Sequence, residues 1–291
     1  MGYDYLRMLR VKNVTRPLVA VTVTLALLLT SCVLPDAIRQ FVTAARDTTA
    51  QFAPFVQDIA DSCERRKLAE RPATEITTSD DALKAACKED SDLAPALQGA
   101  MKVLTNYFNA LNSLASDEVV TYDKEIDGVA GKLQTVAKFP GAATDAVKGL
   151  ANFLASGYQK KKLAEAVKGA DKDVATLTDA LGRIIGVEYV RDLDNELDTL
   201  KNRYTDAMRT TKGDDAVALL LQRHWRADLA TLQKKRAAAV DFQKALEKVR
   251  DGHHELTSQA GKSPAQDLVK QLGSYTASLR SLVKGFQDAT F

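Results

Sequence analysis

The stretch LVKQLGSYTASLRSLVKGF, residues 268–286, decides the fold class because its large apolar side chains recur at alternating intervals of four and three residues. These side chains are Leu268, Leu272, Tyr275, Leu279, Leu282 and Phe286. This spacing places them along one face of an α-helix, as in a coiled-coil seam. The stretch therefore predicts an amphipathic helix that packs lengthwise against other helices.

The same periodicity predicts further long helices over residues 142–168, 171–211 and 215–251. Gly169 is predicted to end the first of them, because glycine is common just beyond the last helical residue. In the second, the apolar register slips at Gly186, which is typical of a stutter in a coiled coil.

The predicted fold class is all-α. Nowhere does the chain alternate apolar and polar residues convincingly, so we expect no sheet. Long helices joined by short turns pair antiparallel with their neighbours. Residues 36–291 are therefore predicted to form an elongated antiparallel helical bundle with coiled-coil-like long helices.

Several residues in the first half of the chain predict where helices begin, bend and end. A helix is predicted to begin at Asp36 and to kink at Pro54, because proline removes a backbone donor. Ser91 is predicted to cap a second strong helix. Whether that helix turns at 116–117 or continues is open. Phe139-Pro140-Gly141 predicts a stop, and if the bundle has two lobes they divide near 139–141.

The first 31 residues have the three parts of a secretory signal. The basic residues come first: Arg7, Arg10, Lys12 and Arg16. An apolar run from Leu18 to Leu29 follows, and small residues then precede Cys32. The run is about 18 Å long as a helix, whereas a hydrocarbon core of about 30 Å needs about 20 residues. We therefore expect a removable signal and no permanent span.

Leu29-Thr30-Ser31-Cys32 resembles the lipobox of bacterial lipoprotein precursors, in which an aliphatic residue and two small residues precede an obligatory Cys. The resemblance covers residues 1–32 only. It implies that residues 1–31 are removed and that acyl chains such as palmitate attach at Cys32, which leaves 32–35 as a short tether to a lipid bilayer. The alternative is an ordinary signal or membrane helix that a Cys follows by chance.

The resemblance also bears on localisation, which it places in the bacterial cell envelope. In Gram-negative members of the family an Asp after the lipidated Cys commonly retains the protein at the inner membrane. Here Val33 follows Cys32, so the outer membrane, facing the periplasm, is the expected location. Two or three acyl chains form a stable anchor, since each buried methylene contributes about 0.8 kcal/mol.

Cys63 and Cys87 remain once Cys32 is assigned to lipid, and we predict a disulfide between them because an even number of cysteines in an oxidising compartment pairs. The intervening residues are polar and contain Pro72, which suits a bond that joins two helix ends across a solvated loop. Two reduced core thiols are the alternative. A zinc site is weakly supported, because no His lies near either Cys.

Enzymatic and nucleic-acid-binding motifs are missing from the sequence. His224 is expected on a helix flank. Residues 251–264 are expected to be a loop or a frayed helix end, with His253 and His254 in a solvated turn; a weak metal site is the alternative for this pair. The acidic run DLDNELD at 192–198 is interpreted as a solvated helix face. The sequence has no nucleophile elbow, P-loop, HExxH helix or dinucleotide-binding loop, so we expect no enzyme, metal or cofactor. Beyond residue 31 the chain carries 36 basic and 37 acidic residues, which argues against nucleic acid.

Lys160, Lys161 and Lys162 form the basic run that is the best candidate for an electrostatic contact. Three consecutive lysines span nearly a helical turn and could contact anionic lipid head groups, acidic glycan or an acidic partner surface. An ordinary solvated helix face is the alternative.

Two functions fit these features. The first is a non-enzymatic, membrane-anchored lipoprotein whose helical bundle scaffolds or binds an envelope protein. The second is a carrier of a small ligand or lipid in a cavity between helices. A carrier predicts a cavity of several hundred cubic ångströms, and a scaffold predicts an exposed apolar or Ala-rich strip on one helix.

Overall fold

The fold was analysed in a computed structural model that describes residues 34–71, 80–116, 128–136, 138–155, 163–259 and 265–287. The predicted lipidation site Cys32 and the basic run Lys160, Lys161 and Lys162 lie outside these residues. The all-α prediction is confirmed, since the described residues form helices and contain no strand.

The helices are numbered here in chain order. They are α1 (34–50), α2 (Ala53–Glu70), α3 (Asp80–Ala86), α4 (Lys88–Ala115), α5 (Val129–Leu133), α6 (Gly141–Ala155), α7 (Leu163–Arg183), a π-helical segment (Ile184–Tyr189), α8 (Val190–Thr210), α9 (Asp215–Gln259) and α10 (Ala265–Gln287). Among the described helices none is long and apolar enough to cross a membrane.

A long antiparallel hairpin forms the backbone of the bundle. Its first limb runs without interruption through α7, the π-helical segment and α8, and its second limb is the 45-residue α9, about 68 Å long. Side-chain contacts mark the antiparallel register along its length: Asp171 with His253, Asp179 with Arg250, Asp194 with Arg236, and Tyr204 with Asp228. The predicted antiparallel pairing of long helices is confirmed.

The core lies where α1, α2 and α10 pack on the second half of α9. The rings of Phe52, Phe55 and Phe286 surround that of Phe242, with centroid distances of 5.0–5.4 Å. Closer to the C-terminal end of α9, Gly252 lets α1 approach closely, because a Cβ there would lie 2.3 Å from the ring of Phe41. The chain thus enters α1 beside the C-terminal end of α9.

The helix boundaries in the first half of the chain agree only in part with those predicted. The predicted kink takes the form of a break at residues 51–52, and α2 places Pro54 in its first turn, where no backbone donor is lost. α4 ends at Ala115, so the helix does not continue through 116–117. The cap predicted at Ser91 is wrong: α4 begins at Lys88, one residue after Cys87.

The end predicted at Gly169 for the helix over 142–168 is wrong, because α7 passes through Gly169 without a break. Residues 156–162 of that predicted helix lie outside the described residues. The intrinsic cost of a glycine in a helix is about 1 kcal/mol, and burial of the neighbouring Val167 outweighs it. The slip predicted at Gly186 is confirmed as the π-helical segment. Division of the bundle near 139–141 stays a prediction, although the stop there is confirmed.

The disulfide predicted between Cys63 and Cys87 is present. It joins the middle of α2 to the junction of α3 and α4, and both cysteines are buried. α2 is therefore held covalently against the start of α4.

Candidate functional site

A groove with a volume of about 790 Å³ runs between α2, α8 and α9. Its apolar lining comprises Leu68, Ala69, Leu200, Tyr204, Ala207, Leu221 and Leu232. Three helices form its walls, and no fourth helix of the described part lines it. The groove is therefore bounded by three helices and is open on the side that they leave uncovered within the described part of the chain.

The groove runs along an arm, which we define as residues 197–231, because its lining continues to Thr210 in α8 and to Leu221 in α9. No side chain of the arm, all of whose residues are described, is buried. α2 covers only the first part of the arm, and there Arg203 Nη1 donates a 2.6 Å hydrogen bond to the carbonyl oxygen of Arg71. Beyond that point α8 and α9 continue as a two-helix projection that ends in a turn at Gly213, whose φ is +101°.

A buried ion cluster forms the floor of the groove. Arg65 donates to both carboxylate oxygens of Asp58, at 2.9 and 3.1 Å, and its Nε donates to Glu196 at 2.6 Å. Lys235 and Tyr189 also donate to Asp58. The cluster ties α2 to both limbs of the hairpin, since its members come from α2, the π-helical segment, α8 and α9.

The cluster contains two cationic side chains, Arg65 and Lys235, and two carboxylates, Asp58 and Glu196. The pKa of Asp58 reflects this pairing. Burial raises the pKa of Asp58, but hydrogen bonds from Arg65, Lys235 and Tyr189 outweigh burial and lower it below the ordinary value. Burial and the neighbouring Asp58 carboxylate raise the pKa of Tyr189, which stays a neutral donor. Asp58 is therefore ionised at neutral pH, and both carboxylates are engaged in hydrogen bonds within the protein.

Glu196 shows what the sequence interpretation missed. It was expected on the solvated face of 192–198, but it is almost fully buried and accepts a 2.6 Å hydrogen bond from Ser62. The available signal was its position, three residues after Leu193 and four before Leu200, which is a seam position of the heptad. Lys235 occupies the equivalent place in α9, three residues after Leu232.

The seam of the arm is aromatic and polar. The rings of Tyr204 and Trp225 lie 5.7 Å apart, and the Tyr204 hydroxyl donates a 2.6 Å hydrogen bond to Asp228. Burial and this carboxylate raise the pKa of Tyr204 to about 12. The tyrosine is thus a neutral hydrogen-bond donor that fixes α8 against α9 beside the groove.

A second polar cluster lies near the C-terminal end of α9. The loop or frayed end predicted over 251–264 is wrong for 251–259, because α9 continues to Gln259; residues 260–264 lie outside the described part of the chain. His253 is completely buried: its Nδ1 donates to Asp171 at 3.0 Å and its Nε2 accepts from the Tyr107 hydroxyl at 2.7 Å. Burial lowers the pKa of His253 and keeps it neutral. Exposed His254 donates to the same Asp171, so this cluster joins α4, α7 and α9.

The outward face of α9 carries an exposed apolar patch. Leu219 and Leu220 are 68% and 53% exposed. Ala216, Ala227 and Ala230 are exposed on the same helix. No group of three or more potential metal ligands occurs among the described residues.

Comparison with known proteins adds no relative. No protein-family model, curated protein or solved structure matches the chain.

Proposed function

We propose that the protein is an outer-membrane lipoprotein, anchored through acylated Cys32, whose bundle is a non-enzymatic scaffold. The groove along the arm is its docking site for an amphipathic helix of another envelope protein. The three-walled groove is the observation that carries this proposal. The lipobox-like sequence Leu29–Cys32 supports the anchor.

The position of the groove suits a scaffold that is held at one end. The chain enters α1 beside Gly252 of α9, whereas Leu221 lines the groove. The 31 positions between them correspond to about 45 Å along the helix. An anchor at Cys32, two residues before α1, would therefore hold the docking site well away from the lipid head groups.

The dimensions of the groove favour a helix as its occupant. From Glu196 to Thr210 its α8 wall is about 21 Å long, which matches four turns of a helix. Ala69 and Ala207 are small wall residues that leave room for large apolar side chains of the incoming helix. At the rim, Arg203 has no carboxylate partner in the described ranges, so the incoming helix is expected to carry an acidic residue there.

A photo-crosslinking amino acid at Leu68 tests this proposal in intact membranes. Leu68 lines the groove and is 53% exposed; Val187, outside it, is also 53% exposed and is the matched control. We expect one protein adduct from position 68 and none from 187. Ala207→Trp should abolish the adduct by filling the groove, and Arg203→Glu should weaken it. Equal crosslinking from both positions, or an adduct that survives Ala207→Trp, would contradict a docking site in the groove.

The volume of the groove also favours a second candidate function, a carrier of a small ligand or lipid. A groove of about 790 Å³ lies within the usual range for ligand sites, about 300–1,000 Å³. Native mass spectrometry of the purified protein separates the two candidates. A carrier would retain a small molecule that Ala207→Trp displaces, and no protein adduct would form at Leu68.

A further inference from the structure

Two of the four exposed large apolar side chains of the described residues are adjacent and lie near the free end of the arm. Leu219 and Leu220 occupy the second turn of α9 and are 68% and 53% exposed. Successive helical residues are turned by about 100°, so these two leucines point away from the seam that Leu221 occupies. The arm therefore presents a leucine patch outside the groove.

The charges that flank this patch are arranged by sign. Asp215 lies one turn before the leucines, and Arg223 and Arg226 lie one and two turns after them. None of these three charged residues has an ion-pair partner within the described ranges. An acidic end, an apolar centre and a basic end follow one another along the outward face.

We propose that this patch binds the same patch of a second copy, with the two α9 helices antiparallel about a two-fold axis near Leu219 and Leu220. An antiparallel pair places Asp215 of one copy beside the arginines of the other, at both ends of the contact. A parallel pair would place like charges together. A two-fold contact is self-complementary by definition, and this order of charges satisfies that requirement.

The shape of the arm permits this contact. The turn at Gly213 forms the tip of the arm two residues before α9 begins, and within the described ranges no arm residue around the patch is buried. The body of each copy lies toward the C-terminal end of α9, so an antiparallel pair directs the two bundles away from each other. The contact depends neither on the lipid anchor nor on an occupant of the groove.

Sedimentation velocity of the full chain in dilute detergent, up to about 0.1 mM protein, tests the proposal. The patch covers only about two turns per copy, so we expect a reversible dimer that forms as concentration rises. Leu220→Asp should weaken dimerisation by about tenfold or more. Val187→Asp is the matched control, because Val187 is also 53% exposed and lies outside the patch; it should leave the dimer intact.

Charge reversal tests the antiparallel arrangement. Arg223→Asp should weaken the dimer, and Asp215→Arg combined with Arg223→Asp should restore much of it, since the acidic and basic ends are then exchanged. Failure of the double variant to recover would overturn the arrangement. A chain that stays monomeric at all concentrations would overturn the proposal, as would wild-type binding to anionic phosphatidylglycerol vesicles that Leu220→Asp abolishes while the chain remains a monomer.

Discussion

Replacing Lys235 by Met tests whether the ion cluster under the groove holds α2 to the two limbs of the hairpin. The ammonium group of Lys235 donates to Asp58, and the two side chains are only 7% and 4% exposed. Methionine keeps a long unbranched side chain but removes the charge and the donor. Asp58 would keep Arg65 and Tyr189 as partners but would lose one of its two cations.

Loss of one partner of a buried ion pair costs about 3–5 kcal/mol, because the remaining charge stays desolvated. Because Asp58 retains two partners, we expect Lys235→Met to lower the free energy of unfolding by an amount at the lower end of this range, about 3 kcal/mol. This loss corresponds to a roughly 100-fold larger unfolding constant. The matched control is Lys244→Met on the same helix, where the side chain is 57% exposed and pairs with Asp241. This exposed pair should contribute less than about 0.5 kcal/mol.

Urea unfolding followed by circular dichroism at 222 nm measures both changes. A lowered pKa makes Asp58 stabilising above its unfolded-state pKa of about 3.9, and that contribution disappears as pH falls through the folded-state pKa. The gap between wild type and Lys235→Met should therefore narrow at acidic pH. If Lys235→Met costs no more than Lys244→Met at pH 7, the cluster does not fix α2 to the hairpin and the reasoning fails.

Three further perturbations test the fold. Serine at both Cys63 and Cys87 should lower the free energy of unfolding by about 3 kcal/mol, since the bond closes a loop of 24 residues; equal urea midpoints with and without reductant would contradict this. Gly252→Ala should destabilise by about 1–3 kcal/mol through overpacking against Phe41, and an unchanged melting temperature would show that the helices separate freely. Hydrogen bonds, chiefly from a buried histidine, lower the pKa of Asp171 to about 2, so stability should fall as pH drops from about 4 to about 2. Asp171→Asn should flatten that dependence, and an unaltered acid profile would refute the assignment.

The sequence was sufficient for the fold class and for most of the core. Leu268, Leu272 and Leu279 are buried as their spacing predicts, and so is Phe286. Apolar side chains must leave water, so their helical spacing identifies the buried face before any partner is known. The slip at Gly186 could be predicted for the same reason, because it shifts the apolar seam by a fraction of a turn.

The ion cluster could not be predicted, because charged side chains are assumed to face solvent. Glu196 and Lys235 occupy seam positions, but their burial depends on Arg65 and Asp58, which reach them from a helix distant in sequence. His253 was missed because its Gly and Asp neighbours suggest a loop. Gly252 is needed there for close packing, and burial of Leu256 shows that the helical seam continues past the histidines.

The groove could be predicted only in part. A long two-helix segment with an apolar seam implies a partner surface, but the sequence does not show where α2 stops. α2 ends at Glu70, beside Arg203, and this end point leaves the rest of the arm uncovered. The position and length of a groove between helices depend on where each helix ends. Those ends are determined by tertiary contacts and not by the periodicity of the sequence.

Intact mass spectrometry of the protein extracted from bacterial membranes tests the central claim, that the bundle is anchored by lipid at Cys32. The account predicts a chain that begins at Cys32 and carries two or three acyl chains, and a Cys32→Ala variant that no longer fractionates with membranes. A membrane-bound chain that retains residues 1–31, an unmodified Cys32 thiol, or a Cys32→Ala variant that stays on the membrane would contradict it.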